Sequence, residues 1–156
     1  MTEPLVSLVR GYASRLKKPS PLAISVLVVD DEEPVRKFVG RVLKEAGYRI
    51  TIASDGPEAL RIAASLGTLD IVVSDVMMPQ MAGDELARRL RESWPQLKVL
   101  YLTGFSDRLF KERVTLWEGE AYLDKPCSIK SLLQAVSLLL FGSPEAPAGL
   151  KAGSAE

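Results

Sequence analysis

Residues 70–86 read DIVVSDVMMPQMAGDEL. A short, apolar, β-branched run leads to Asp75, and a turn follows at VMMP. An amphipathic pattern then opens near Asp84, with Leu86, Leu90 and Trp94 at helical spacing, and must stop before Pro95. Strand, turn and helix in this order recur on both sides of the segment. The other strand-like runs are SVLVVDD from Ser25, YRITIAS from Tyr48, KVLYLTG from Lys98 and AYLDKP from Ala121. Each is mostly apolar throughout, as a strand covered on both faces of a parallel sheet should be.

The segments between the runs read as helices. Pro34 sits in a first turn, and Val35, Phe38, Val39, Val42 and Leu43 follow at helical spacing up to Gly47. A second pattern runs from about Pro57 to Gly67, and a fourth covers roughly 108–117. A fifth, capped by Ser128, carries Leu132, Leu133, Val136, Leu139 and Leu140. Five β-α units in strict alternation predict an α/β fold of flavodoxin-like (βα)5 type. This is a three-layer sandwich on a parallel five-stranded sheet of order 2-1-3-4-5. The expected division is one domain over 23–142, an amphipathic segment and Pro linker over 1–22, and a disordered Pro-, Ala- and Gly-rich tail over 143–156. Leu5, Leu8, Val9, Tyr12 and Leu16 predict a helix in the first segment.

Composition removes several classes of function. Twenty basic residues balance twenty acidic ones, which leaves no electrostatic footprint for DNA. No apolar run is long enough to span a membrane, and the charges of the first eighteen residues follow the apolar ones, the reverse of a secretory signal. The single cysteine, Cys127, excludes an internal disulfide framework and fits a reducing, cytoplasmic setting. Histidine is absent, so neither a Ser-His-Asp triad nor a phosphohistidine carrier is available within the chain.

Chemistry is left to carboxylates, hydroxyls and lysine, and these gather at strand ends. The first run closes on Asp30 and Asp31, the third on Asp75, the fourth on Thr103 and the fifth on Lys125. In a parallel sheet these ends share one edge, where ligands bind. Clustered carboxylates repel one another, and a hard divalent cation such as Mg²⁺ resolves the conflict. Lysine adds a point charge and threonine a donor, which makes a site for phosphoryl transfer to a carboxylate.

The motifs VVDDEEPVR, SDGPEAL, DIVVSDVMMPQMAGDEL, VLYLTG and AYLDKP, in this order, resemble the response-regulator receiver domain of two-component signalling over 26–141. The spacings also agree: 44 residues from Asp31 to Asp75, 28 to Thr103 and 22 more to Lys125. The resemblance implies that Asp75 accepts the phosphoryl group from a cognate histidine kinase. Asp31, Asp75 and the Met77 carbonyl would bind Mg²⁺, with Asp30 acting through a metal-bound water. Lys125 would hold a phosphoryl oxygen, and Thr103 would move inward to bond another. Tyr122 would follow Thr103 and change the surface offered to a downstream protein. Pro126 would be cis. Cys127 is expected to be a small buried hydrophobe.

Plainer readings exist for single residues: a helix cap for Asp30, packing for Thr103 and Tyr122, a solvated strand end for Lys125. Only the set outweighs them. A haloacid-dehalogenase-type phosphatase would need an acid two residues after its nucleophile, where Met77 stands, and Asp30-Asp31 lacks the Asp-x-Asp spacing. A pseudo-receiver that only binds would not need the full acidic set. Fourteen residues after Gly142 are too few for an effector module, so output is expected through protein contacts. A stand-alone receiver, a hybrid-kinase receiver (toward which the LTGFSD run and the tail lean) and a homodimer stay open.

Overall fold

The structure, a computed structural model, describes Val9, residues 24–104 and residues 118–143. The helix expected within 1–22 (Val9 apart), the pattern over 108–117 and the tail from 144 lie outside the described residues. Nine elements are described: β1 (Ser25–Val29), α1 (Glu33–Glu45), β2 (Arg49–Ala53), α2 (Gly56–Ala63), β3 (Ile71–Asp75), α3 (Gly83–Leu90), β4 (Lys98–Thr103), β5 (Glu120–Asp124) and α4 (Ile129–Phe141). The strands form one parallel sheet of order β2-β1-β3-β4-β5.

Side chains alternate across a strand, and the sheet uses that alternation to build two cores. Val26, Val28, Ile71, Val73, Leu100 and Leu102 face one side and meet Val39, Val42 and Leu43 of α1 and Leu132, Leu133 and Val136 of α4. Val9 is fully buried in the same cluster. Leu27, Val29, Val72, Val99 and Tyr101 face the other side and meet Ala59 and Ala63 of α2 and Leu86, Ala87 and Leu90 of α3. Every residue of β1 and β3 is buried. Each fully buried Val or Leu contributes about 1.5–3 kcal/mol of transfer free energy.

The expectation of strands covered on both faces fails at the sheet margins. In β2 only Ala53 is buried and Ile52 is 43% exposed, while β5 is half-buried along most of its length. Both are edge strands in this order, so each has a neighbouring strand on one flank only. Helix ends obey local chemistry. The carboxylate of Asp55 accepts from Glu58 N at 2.8 Å and opens α2. Ser128 Oγ accepts from Ser131 N at 3.0 Å and opens α4, as its sequence predicts. Gly47, at φ 107°, takes the left-handed conformation that lets the chain turn from α1 into β2. Helix α3 ends at Leu90 rather than running to Trp94; tight turns follow, with Ser93 N donating to Leu90 O at 3.1 Å.

Candidate functional site

Strands β1, β3, β4 and β5 run parallel, so their carboxyl ends meet at one edge. Asp30, just past β1, is fully buried. Its Oδ1 accepts from Glu32 N at 2.9 Å and its carbonyl accepts from Arg36 Nη1 at 2.8 Å, so the turn into α1 aims the carboxylate. Asp75 closes β3 and is 5% exposed. The Asp75 carbonyl accepts from Ser74 Oγ at 2.9 Å. Asp31 is exposed, and carboxylate oxygens of Asp30, Asp31 and Asp75 lie within 4.8 Å of one another. Lys125, just past β5, places Nζ 3.0 Å from Asp30 Oδ2 and 3.2 Å from Asp75 Oδ1, with Glu32 Oε1 further off at 3.6 Å.

Three carboxylates face one ammonium, and the electrostatics reflect the imbalance. Burial raises the Asp30 carboxyl above its usual range, opposed by the bond from Glu32 N and by Lys125. Burial first, and then the charge of Asp30, push Asp75 up to about 7. Burial pulls the Lys125 ammonium down, but bonding and attraction from Asp30 and Asp75 outweigh it and hold the group above its ordinary value. Oxygen-only donors with excess negative charge suit a hard dication, so this donor set fits Mg²⁺.

The remaining predicted residues sit around this centre. Thr103 is 1% exposed, and its Oγ1 donates to Asp124 Oδ1 at 2.8 Å. Tyr122 is half-buried and packs on the second core, its ring centroid 6.3 Å from that of Tyr101. Met77 is 59% exposed, and because its thioether is too soft a donor for a hard cation, its backbone carbonyl is the candidate ligand. The Lys125-Pro126 peptide bond is cis. Cys127 is half-buried, and burial pushes its thiol up.

Two supporting residues escaped the sequence reading. Gly83 opens α3 directly beneath the phosphoacceptor candidate. Its N–H donates to Val76 O at 2.7 Å, and a Cβ there would run into the Asp75 carbonyl. The small residue in MAGDEL was the available signal. The other is Asp124, whose contact with Thr103 depends on the pairing of β4 with β5, in which Thr103 stands opposite Asp124. No pattern within either strand discloses that register.

The chain belongs to the response regulator receiver domain family, whose model matches residues 26–137. It is 39% identical over 135 residues to the sensor kinase CckA of Brucella abortus (strain 2308), which covers 85% of this chain and 14% of that protein. It is 40% identical over 121 residues to the response regulator MprA of Mycolicibacterium vanbaalenii, covering 76% of this chain and 51% of that one. The chain thus spans about half the length of one relative and a seventh of the other. Among solved structures it resembles the receiver domain of the hybrid histidine kinase CckA (TM-score 0.63, 33% identity, 74% of this chain and 98% of that one). It also resembles the chemotaxis protein CheY4 of Vibrio cholerae (TM-score 0.64, 31% identity, 76% and 99%). The phosphatase and pseudo-receiver alternatives are not favoured by these relationships. Among the described residues no helix is long and apolar enough to cross a membrane.

Proposed function

We propose that Asp75 accepts a phosphoryl group from a phosphohistidine of a cognate histidine kinase, in the cytoplasm, with Mg²⁺ as cofactor. The observation that carries this reading is the grouping of Asp30, Asp31 and Asp75 within 4.8 Å, with Lys125 Nζ 3.2 Å from Asp75. An Asp75 carboxylate oxygen attacks phosphorus, the new O–P bond forms, the P–N bond breaks and the imidazole leaves with the electron pair. Lys125 draws a phosphoryl oxygen toward the strand edge and offsets its charge. Asp31, Asp75 and the Met77 carbonyl would hold Mg²⁺, and Asp30 would support it through water. The ion, when bound, neutralises charge that builds on the transferring group. Thr103 donates to another phosphoryl oxygen, and Tyr122 follows it toward the interior. Water later attacks the acyl phosphate and restores the carboxylate. The chain is in this sense a self-modifying switch, not an enzyme acting on other substrates.

Output passes to a downstream protein through the surface that Thr103 and Tyr122 bias. Residues 23–142 form the switching unit, and residues 1–22 and 143–156 flank it. Mass spectrometry after incubation with acetyl phosphate and Mg²⁺ tests the reading. The expected result is a gain of one phosphoryl group that disappears in Asp75→Asn and without Mg²⁺. A gain that survives in Asp75→Asn would overturn it.

A further inference from the structure

We propose that Asp124 is a positioning residue that holds the switch in its unphosphorylated setting by occupying the hydroxyl of Thr103. The inference rests on the reading of Asp75 as phosphoacceptor and extends it to a residue outside the acidic cluster.

Thr103 is buried, so its hydroxyl needs a partner within the protein, and it finds one in Asp124 Oδ1 at 2.8 Å. A threonine hydroxyl carries one proton and can donate only once. Donation to Asp124 and donation to a phosphoryl oxygen on Asp75 are therefore mutually exclusive. The acceptor is a carboxylate, which makes the existing bond stronger than one to a neutral group. The backbone around the pair is tied: Thr103 stands opposite Asp124 in the parallel ladder, and Lys125 N donates to Thr103 O at 2.8 Å. With the main chain held, choice of partner falls to the side chain, and a staggered χ1 has few settings. One two-residue step, Asp124-Lys125, then serves both states. Asp124 retains the threonine before phosphorylation, while Lys125, bound to Asp75, draws the phosphoryl group in afterwards. Every phosphorylation must break the Thr103–Asp124 bond. Its strength sets how far the switch turns for a given phosphoryl load.

Beryllium fluoride in the presence of Mg²⁺ mimics the acyl phosphate and reads this balance directly. Dissociation constants are measured by ¹⁹F NMR on the full chain for wild type, Asp124→Ala, Thr103→Val and the double variant. Asp124→Ala is expected to tighten binding about threefold to thirtyfold, the scale of one charge-assisted hydrogen bond at a partly exposed site. In the Thr103→Val background the same change is expected to do little. Equal tightening in both backgrounds would mean that Asp124 acts only by charge repulsion and would overturn the proposal, as would unchanged or weaker binding in Asp124→Ala. Asp124→Asn keeps an acceptor oxygen, is expected to fall between wild type and Asp124→Ala, and carries the same test should the alanine variant not fold. Methyl NMR of ligand-free protein gives a second reading: one Thr103 χ1 rotamer in wild type, averaged rotamers in Asp124→Ala. Failure of wild type to bind beryllium fluoride, or equal binding by Asp75→Asn, would overturn the phosphoacceptor reading, and this proposal with it.

Discussion

Asp75 is held in an unfavourable protonation balance. Its carboxyl titrates near 7 in the folded, metal-free chain against 3.8 for an unperturbed aspartate, mainly because it is buried and then because Asp30 is beside it. A raised acid pKa means that the folded state binds more protons than the unfolded one between those values. Its contribution to stability is therefore complete below about pH 3.8 and is lost as pH rises through 7. Mg²⁺ requires the carboxylate, so its affinity moves the opposite way. Binding at pH 6 is expected to be about tenfold weaker than at pH 8, which a calorimetric titration checks. Without Mg²⁺ at pH 8, Asp75→Asn is expected to raise stability by about 1–3 kcal/mol in a denaturant melt, because it removes a buried charge. A drop in stability would show that the Lys125 ion pair outweighs burial. These residues were legible before any coordinates because acid, hydroxyl and lysine recur together at strand ends, where the set outweighs a capping or packing role for each. Asp124 was not, since its role lies across two strands rather than along one.

At the scale of elements, the cap of α2 and the close approach that opens α3 do different work. Asp55 caps α2, and Glu58 Oε1 in turn accepts from Ser54 N at 2.6 Å and Ser54 Oγ at 2.8 Å. Asp55→Ala is expected to cost about 1 kcal/mol by urea titration while leaving Mg²⁺ affinity unchanged. Gly83→Ala should behave differently. The new methyl meets the Asp75 carbonyl, a backbone atom that cannot swing away, so α3 or the end of β3 must shift. About 2–4 kcal/mol of stability should be lost together with Mg²⁺ affinity. Loss of stability with Mg²⁺ affinity intact would show that α3 alone yields. Strand and helix positions followed from apolar periodicity; their lengths did not. Helix α3 ends at Leu90, and β2 leaves Ile52 exposed, because burial by neighbours decides how far each pattern is used.

Across the whole molecule, the two ends of the sheet divide the labour. The carboxyl end collects the charged groups of the site. At the opposite end Arg91, just past α3, places Nη1 2.6 Å from Glu120 Oε2 at the start of β5, and its Nη2 donates to Leu97 O at 3.2 Å. The Glu120 side chain is 3% exposed and that of Arg91 20%, so removal of Glu120 takes this partner from an Arg91 charge in a poorly hydrated place. Burial and Glu120 also raise the Tyr101 hydroxyl well above its ordinary range, which places Tyr101 in the same electrostatic neighbourhood. This clamp joins the third β-α unit to the edge strand that presents Asp124 and Lys125, and neither Arg91 nor Glu120 belongs to the acidic cluster. Glu120→Ala is therefore expected to cost about 2–4 kcal/mol, because Arg91 loses its partner and β5 loses its tie to α3. Arg91→Met with Glu120→Leu, which removes both charges and keeps apolar volume, should recover most of that loss. Mg²⁺ affinity of the folded protein should stay within about twofold of wild type in both, a change worth under 0.5 kcal/mol. The comparison needs a denaturant melt and a Mg²⁺ titration on each variant. A large drop in Mg²⁺ affinity in Glu120→Ala would mean that the clamp sets the position of Lys125 through β5, and that the two ends of the sheet are mechanically one.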